Sequence, residues 1–533
     1  MSTFTGTLAL VRLALRRDRL RLSVWVLALS GVVVAIASSL AELYGTQASR
    51  QQLAAGIGKN PAVVALYGPP FDLTSIGGLV AWRMGAVGAV IIPLMSLLTV
   101  VRHTRAEEEA GRLELVGAAV VGRRAALTAA LLVAFGANLV LGLLLVASLV
   151  GLGLPVVGST AIALSYCSAG LLFAGVAALA AQLTEGARAA NGVAASVLGG
   201  FFLLRAAGDS AGADGLSWLS WLSPIGWTQQ LRPFAHERWW VLGLVGALLV
   251  ALVAASYVLV GRRDIGAGLL PSRLGPAQGA ASLRSPLALA WRLQRASLAG
   301  WATAFAILGA VLGSIAQGIN DLIGSSTQVK DLLDRFGGTG SIVDSYLATS
   351  MGIVGLLAAV YAVQAALRLR SEETSQRAEP VLATRVGRIR WAASHLIFAA
   401  VGTAVVLAAG GLAAGVVHGL RTGDLGGQLP RVFGGALVQL PAIWVLAGIA
   451  VVLFGLAPRL VQVSWGAVVV CVLLGQVGPL LSLSHWLMDA SPFTHLPKLP
   501  GASLDTTPLV WLVGIAVAFT AAGLTGLRRR DIG

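Results

Sequence analysis

The sequence predicts an all-α polytopic membrane protein whose twelve transmembrane helices form two parallel six-helix pseudo-repeats. Three observations carry that prediction. Of 533 residues, 56% are hydrophobic and 11% charged, with a mean hydropathy of +0.82, which places the chain outside the soluble globular class. Continuous apolar runs of about 20 residues recur along the whole length, and about 20 residues at 1.5 Å rise span a hydrocarbon core about 30 Å thick. Short polar motifs of the first half return in the second at nearly one offset.

The apolar runs cover residues 22 to 41, 78 to 101, 125 to 150, 160 to 183, 190 to 207 and 239 to 260, then 299 to 319, 346 to 367, 392 to 417, 433 to 456, 463 to 483 and 509 to 527. They lack the dyad alternation of a membrane β-barrel. Arg16, Arg17, Arg19 and Arg21 precede the first run as in a signal peptide, and Ala35 and Ala37 mimic a cleavage site. The run is longer than a signal h-region, so a retained span is expected. With both termini inside, the cytoplasmic segments carry 27 of the 38 Lys and Arg residues and the outer segments 11, which sets that orientation in a plasma membrane. Lys59, Lys330 and Lys498 all fall outside, so arginine alone makes the bias. The net charge of +15 is thereby read as topology and not as affinity for nucleic acid. Cys167 and Cys471 lie inside apolar runs of opposite halves and read as packing residues.

Each half opens on an amphipathic helix. In LALVRLALRRDR, Leu8, Val11 and Leu15 share one side while Arg12, Arg16 and Arg19 form another stripe, as expected of a helix lying in the inner interface. LALAWRLQR, with Leu289, Leu293, Arg292 and Arg295, repeats this more weakly. Between the second and third runs, RAEEEAGRLELVGAAVVGR at 105 to 123 returns as RSEETSQRAEPVLATRVGR at 370 to 388. Before the sixth run, Trp218 to Pro224 (WLSWLSP) matches Trp486 to Pro492 (WLMDASP), and after it RRDIG at 262 to 266 returns at 529 to 533. This is tandem duplication, and six spans being an even number, the halves share one orientation. The halves are 1–266 and 287–533. The Pro- and Gly-rich stretch 267–286 reads as a cytoplasmic linker.

Carboxylates do not help orientation, so the charged loops are expected to serve another purpose. A short helix carrying Glu107, Glu108 and Glu114 beside Arg105, Arg112 and Arg123 would present both charge signs to a soluble partner. The alternative is a solvated charge run whose internal pairs are worth little. Within the spans charge is expensive, and Arg83 and Arg205 either snorkel to the outer interface or line an exit vestibule. Their repeat positions, Ala348 and Leu473, make the halves electrostatically unequal. Phe201, Phe202, Tyr361, Gln364 and Trp465 are further candidates for a substrate path, each with packing as its alternative role. The segments 208 to 238 and 484 to 508, rich in tryptophan, read as short helices in the outer interface.

The six spans per half, the amphipathic start, the Glu- and Arg-rich loop after the second span, the Ser-Pro segment before the sixth and RRDIG after it resemble the type-2 permease of bacterial ABC exporters. The two fused halves resemble the twelve-span permeases associated with multidrug and polyketide-antibiotic export in actinobacteria. What the resemblance implies is a cytoplasmic ABC ATPase dimer, holding ATP and Mg, that grips the loops as coupling helices while an amphipathic small molecule is exported. Glu107, Glu108, Arg112 and Glu114, with Glu372, Glu373, Arg377 and Glu379, would then be the coupling contacts. The second copy departs by placing Pro380 after Glu379, where its helix is expected to end earlier.

This chain offers no motor of its own. None of the three lysines stands in a G-x-x-x-x-G-K-[ST] phosphate loop, so no cofactor is expected on this chain. The rival is a proton-coupled secondary multidrug transporter, which usually places a carboxylate or His at mid-membrane, whereas Glu42 and Glu185 sit at span ends and His395 near the start of the ninth span. A membrane enzyme would need clustered acids, metal ligands or a nucleophile beside a base, and the six histidines are dispersed.

Overall fold

The computed structural model describes residues 2–57, 61–112, 121–210, 217–264, 266–270, 277–324, 340–476 and 484–531. Among them all regular structure is helical, and twelve helices are long and apolar enough to cross a membrane. The chain divides into two compact units, Met1–Gly275 and Pro276–Gly533.

In the first unit the spans are Thr7–Leu43, Ile76–His103, Ala125–Gly151, Val156–Leu183, Ala187–Ser210 and Val241–Val260. The fourth is the innermost: Ala, Gly and Ser dominate it, and it is buried almost all round, as an apolar helix without a polar stripe must be. The first span is one unbroken helix of 37 residues, about 55 Å long. The arginine stripe expected to lie flat in the interface is therefore the first turns of the span itself, standing beyond a hydrocarbon layer about 30 Å thick. Its buried residues, Ala14, Asp18, Leu22, Val26 and Ser30, recur every fourth position, so one narrow face meets the unit and the rest is left to lipid.

In the second unit the spans are Pro286–Gly324, Gly340–Thr374, Arg388–Thr422, a broken tenth, a broken eleventh and Thr507–Arg529. The tenth consists of Leu425–Leu437 and Leu440–Leu456. Pro441 lacks the amide that would continue the ladder, so the helix restarts there. The eleventh is a 3₁₀ turn, Pro458–Val463, followed by Ser464–Gln476; its expected continuation to 483 lies outside the described residues.

The Ser-Pro motifs have a local reason. Ser223 and Ser491 stand at the N-caps of Pro224–Gln230 and Pro492–His495, with the proline at the first helical position in each, where its missing N–H and fixed φ suit a helix start. The neighbouring indoles pack as well as face outward: Trp221 stacks on Trp240 at 5.7 Å, and Trp227 donates to the Trp221 carbonyl at 2.6 Å.

Several spans meet backbone to backbone. A methyl group added at Gly309 would lie 2.0 Å from the Gly410 carbonyl oxygen, and one at Gly313 would lie 2.3 Å from that of Ala414. The small residues four apart let the seventh and ninth spans approach this closely. Gly455 and Gly523 do the same for the tenth and twelfth. Gly309→Val is expected to lower stability by about 1 to 3 kcal/mol through overpacking, read as thermal unfolding in detergent. Gly300→Val on the same helix, where nothing lies within 4 Å, should leave the transition almost unmoved; equal shifts would contradict the close crossing.

Candidate functional site

The loop after the second span begins as a short helix, Arg105–Glu109, and the equivalent residues after the eighth span are the last turn of Gly340–Thr374. Both end on a left-handed residue, Gly111 at φ 68 and Gln376 at φ 55, 265 positions apart. In the second copy the Arg377 amide donates to the Glu372 carbonyl at 3.0 Å and the Gln376 amide to that of Glu373 at 2.9 Å. This is the Schellman closure, in which the residues five apart are brought into contact, usually as an apolar pair. Here the pair is ionic. Arg377 Nε donates to Glu372 at 2.9 Å, and Arg112 Nε to Glu107 at 2.9 Å.

The second glutamate of each copy reaches much further along the chain. Glu108 receives Arg105 Nη1 at 2.5 Å and both terminal nitrogens of Arg263, at 2.5 and 2.8 Å. Glu373 receives Arg370 Nη1 at 2.8 Å and Arg530 Nη2. Arg263 and Arg530 are the second arginines of the two RRDIG motifs. Their backbone carbonyls in turn accept from Arg123, at 2.5 Å, and Arg388, at 2.6 Å. Arg530 also lies 4.7 Å over the Phe454 ring. In both halves, then, the loop is clasped to the end of that half's last span. The charged loop and the RRDIG motif, repeated in both halves, are parts of one network.

The clasps are dry. The side chains of Glu108, Glu372 and Glu373 are each 6% exposed and that of Arg263 8%. These three carboxylates are therefore not part of a solvated charge run: arginines of their own half engage them. Glu107 is paired with Arg17 of the first span at 2.9 Å as well as with Arg112. Of the expected contact residues, Arg112, Arg377 and Glu379 are exposed, while Glu114 lies outside the described residues. The first-copy residues matching Pro380 and its surroundings lie outside the described ones, so the expected difference in helix length has no counterpart to be measured against. Pro380 sits in the first turn of a new helix, Ala378–Leu382, where no amide is needed.

Arg205 is also not where the sequence reading put it. It is fully buried, neither snorkelling nor open to a vestibule: Nη1 meets Asp209 at 3.2 Å, Nη2 donates to the Ala65 carbonyl at 2.9 Å, and the guanidinium lies 4.5 Å over Phe202. The i,i+4 acid on its own helix neutralises it. Arg83 is exposed and lies 4.7 Å over Tyr67. Phe201 and Trp465 pack against the cores of their own units, Tyr361 is buried with Trp301 at its edge, and Gln364 is exposed. Just outside the membrane-type helices, burial pushes the Asp72 carboxyl up but hydrogen bonds from Ser75 and Thr74 outweigh it and hold it below the ordinary value.

Sequence reasoning missed Asp18. Buried in the first span helix, it accepts from Arg102 Nε and meets His103 Nε2, each at 3.0 Å. The isolated acid in an arginine-rich stretch was the available signal. Among the described residues no group of three or more His, Cys, Asp or Glu could hold a metal ion.

Residues 283–528 match the family described as multidrug efflux system permease Rv1217c, C-terminal domain. The whole chain is 44% identical over 532 residues to the multidrug efflux system permease protein Rv1217c of Mycobacterium tuberculosis (strain ATCC 25618 / H37Rv), covering 100% of this chain and 96% of that protein.

Glu108→Ala is expected to destabilise the protein by about 3 to 5 kcal/mol, because it strands two buried guanidiniums. The exposed Glu379→Ala should change stability by no more than about 0.5 kcal/mol. Thermal unfolding of the purified variants measures both, and equal losses would show that the Glu108 clasp is not held away from water.

Proposed function

Because the chain belongs to the multidrug efflux system permease family, we propose that it is the membrane-spanning subunit of an ATP-driven ABC exporter that moves amphipathic drugs or antibiotics out of the cell. ATP and Mg bind a separate cytoplasmic ATPase dimer, and this chain supplies the substrate route and the surfaces on which the motor acts. The full-length identity to an efflux permease carries the transport role. The pair of charged loops, repeated and rigidly braced, supports the coupling role.

Glu107, Glu108, Glu372 and Glu373 give the two loops their shape, and the exposed Arg112, Arg377 and Glu379 meet the ATPase. Both termini lie in the cytoplasm, on the side where arginine accumulates. A rim of exposed charges of both signs suits recognition of a soluble partner more than raw affinity.

Copurification of an ATPase encoded beside this chain is the expected result. In proteoliposomes holding both, efflux of a fluorescent amphipathic dye should require ATP hydrolysis and continue after the proton gradient is collapsed. Loss of efflux on collapse, with ATP intact, would favour the proton-coupled reading. A cysteine at position 112 should react with a membrane-impermeant maleimide in inside-out vesicles and not in intact cells.

A further inference from the structure

In the first half three consecutive carboxylates leave the loop in three directions. Glu107 takes Arg17 of the first span, Glu108 takes Arg263 at the end of the sixth, and Glu109 accepts the Ala187 amide at the N-terminus of the fifth, at 2.9 Å. The second half keeps one of these links. Glu372 is satisfied within its own segment by Arg368, at 2.6 Å, and Arg377. Thr374 replaces the third acid, and its hydroxyl donates back to the Arg370 carbonyl at 2.9 Å. Glu373 alone among the described carboxylates of this loop forms an ion pair with the end of another span, through Arg530 after the twelfth, while Glu372 meets His395 of the ninth only as a charge at longer range.

We propose that the two loops are unequal transmission points: the first spreads a pull over the first, fifth and sixth spans, and the second passes it through Glu373 and Arg530 to the twelfth. The proposal rests on the coupling role above. Two properties make the clasps transmit and not slip. The Glu108–Arg263 contact is bidentate, which fixes orientation as well as distance. Both clasps are buried, so sliding apart would strand opposite charges away from water. The Arg17–Glu107 link, with Arg17 34% exposed, is the softer connection.

The test uses the full chain with its ATPase in proteoliposomes. Single reporter cysteines replace exposed residues at the far ends of helices: Trp240 on the sixth span, Trp511 on the twelfth, Leu43 on the first and, as control, Leu152 after the third. The native Cys167 and Cys471 are buried and are replaced by alanine. Maleimide labelling rates are compared with and without a non-hydrolysable ATP analogue. The nucleotide-dependent change at 240 should be lost in Arg263→Glu while persisting at 43, with 152 little affected by nucleotide in either protein, and should return in the charge-swapped Glu108→Arg/Arg263→Glu pair. Arg530→Glu should abolish the change at 511. Retention of the response at 240 in Arg263→Glu overturns the proposal. So does a wild-type chain that responds at 152 but not at 240, or a loss at all positions that the charge swap does not repair. A wild type in which no ATPase binds and no position responds refutes the coupling role itself.

Discussion

A carboxylate held away from water needs donors within hydrogen-bond reach, and the ends of the helices in each half are placed to meet that need at Glu108 and Glu373. Burying one partner without the other would be strongly destabilising. The loop, the end of the last span and the start of the third or ninth span are therefore fixed together. Arg123 and Arg388 extend the same logic to the backbone, since each occupies the carbonyl of the arginine that grips the glutamate. The spans above are packed through small residues and lipid-facing leucines, which resist translation poorly. The charged base gives each half its rigid end.

The fold was largely legible because membrane insertion is governed by hydropathy, and hydropathy is a local property of sequence. The twelve spans predicted from apolar runs match the twelve helices closely, with differences where a local feature intervenes: Pro441 breaks the tenth, and the arginine stripe before residue 22 continues the first. The charged site was legible in part. Its residues were found from the 265-residue repeat, but their partners were not, because Glu108 and Arg263 are 155 residues apart and no spacing rule links them. The charged loop and RRDIG share nearly one offset in the sequence, and only coordinates reveal that they share a contact. The Arg205–Asp209 pair stood at i,i+4 in plain view, yet a charge inside an apolar run was read as seeking solvent.

The repeat is also a guide to what differs between the halves. The left-handed position after each acidic turn is Gly111 in one copy and Gln376 in the other, so the turn is kept even where glycine is not. Arg205 and its acid brace the first half at a level where the second has Leu473. Asp18 anchors the second span by Arg102 and His103, whereas Gln294 of the seventh span meets His395 of the ninth at 3.3 Å. The shared architecture is thus held by different polar contacts.

Thr374, opposite Glu109 in the repeat, shows what joining the copies permits. In an assembly of two separate, genetically identical subunits, any change in the loop would appear twice, and neither site could specialise. A single polypeptide lifts that restriction. On the proposed coupling role, two identical ATPase subunits would meet non-identical docking sites, and the membrane partner, not the motors, would break the symmetry between them.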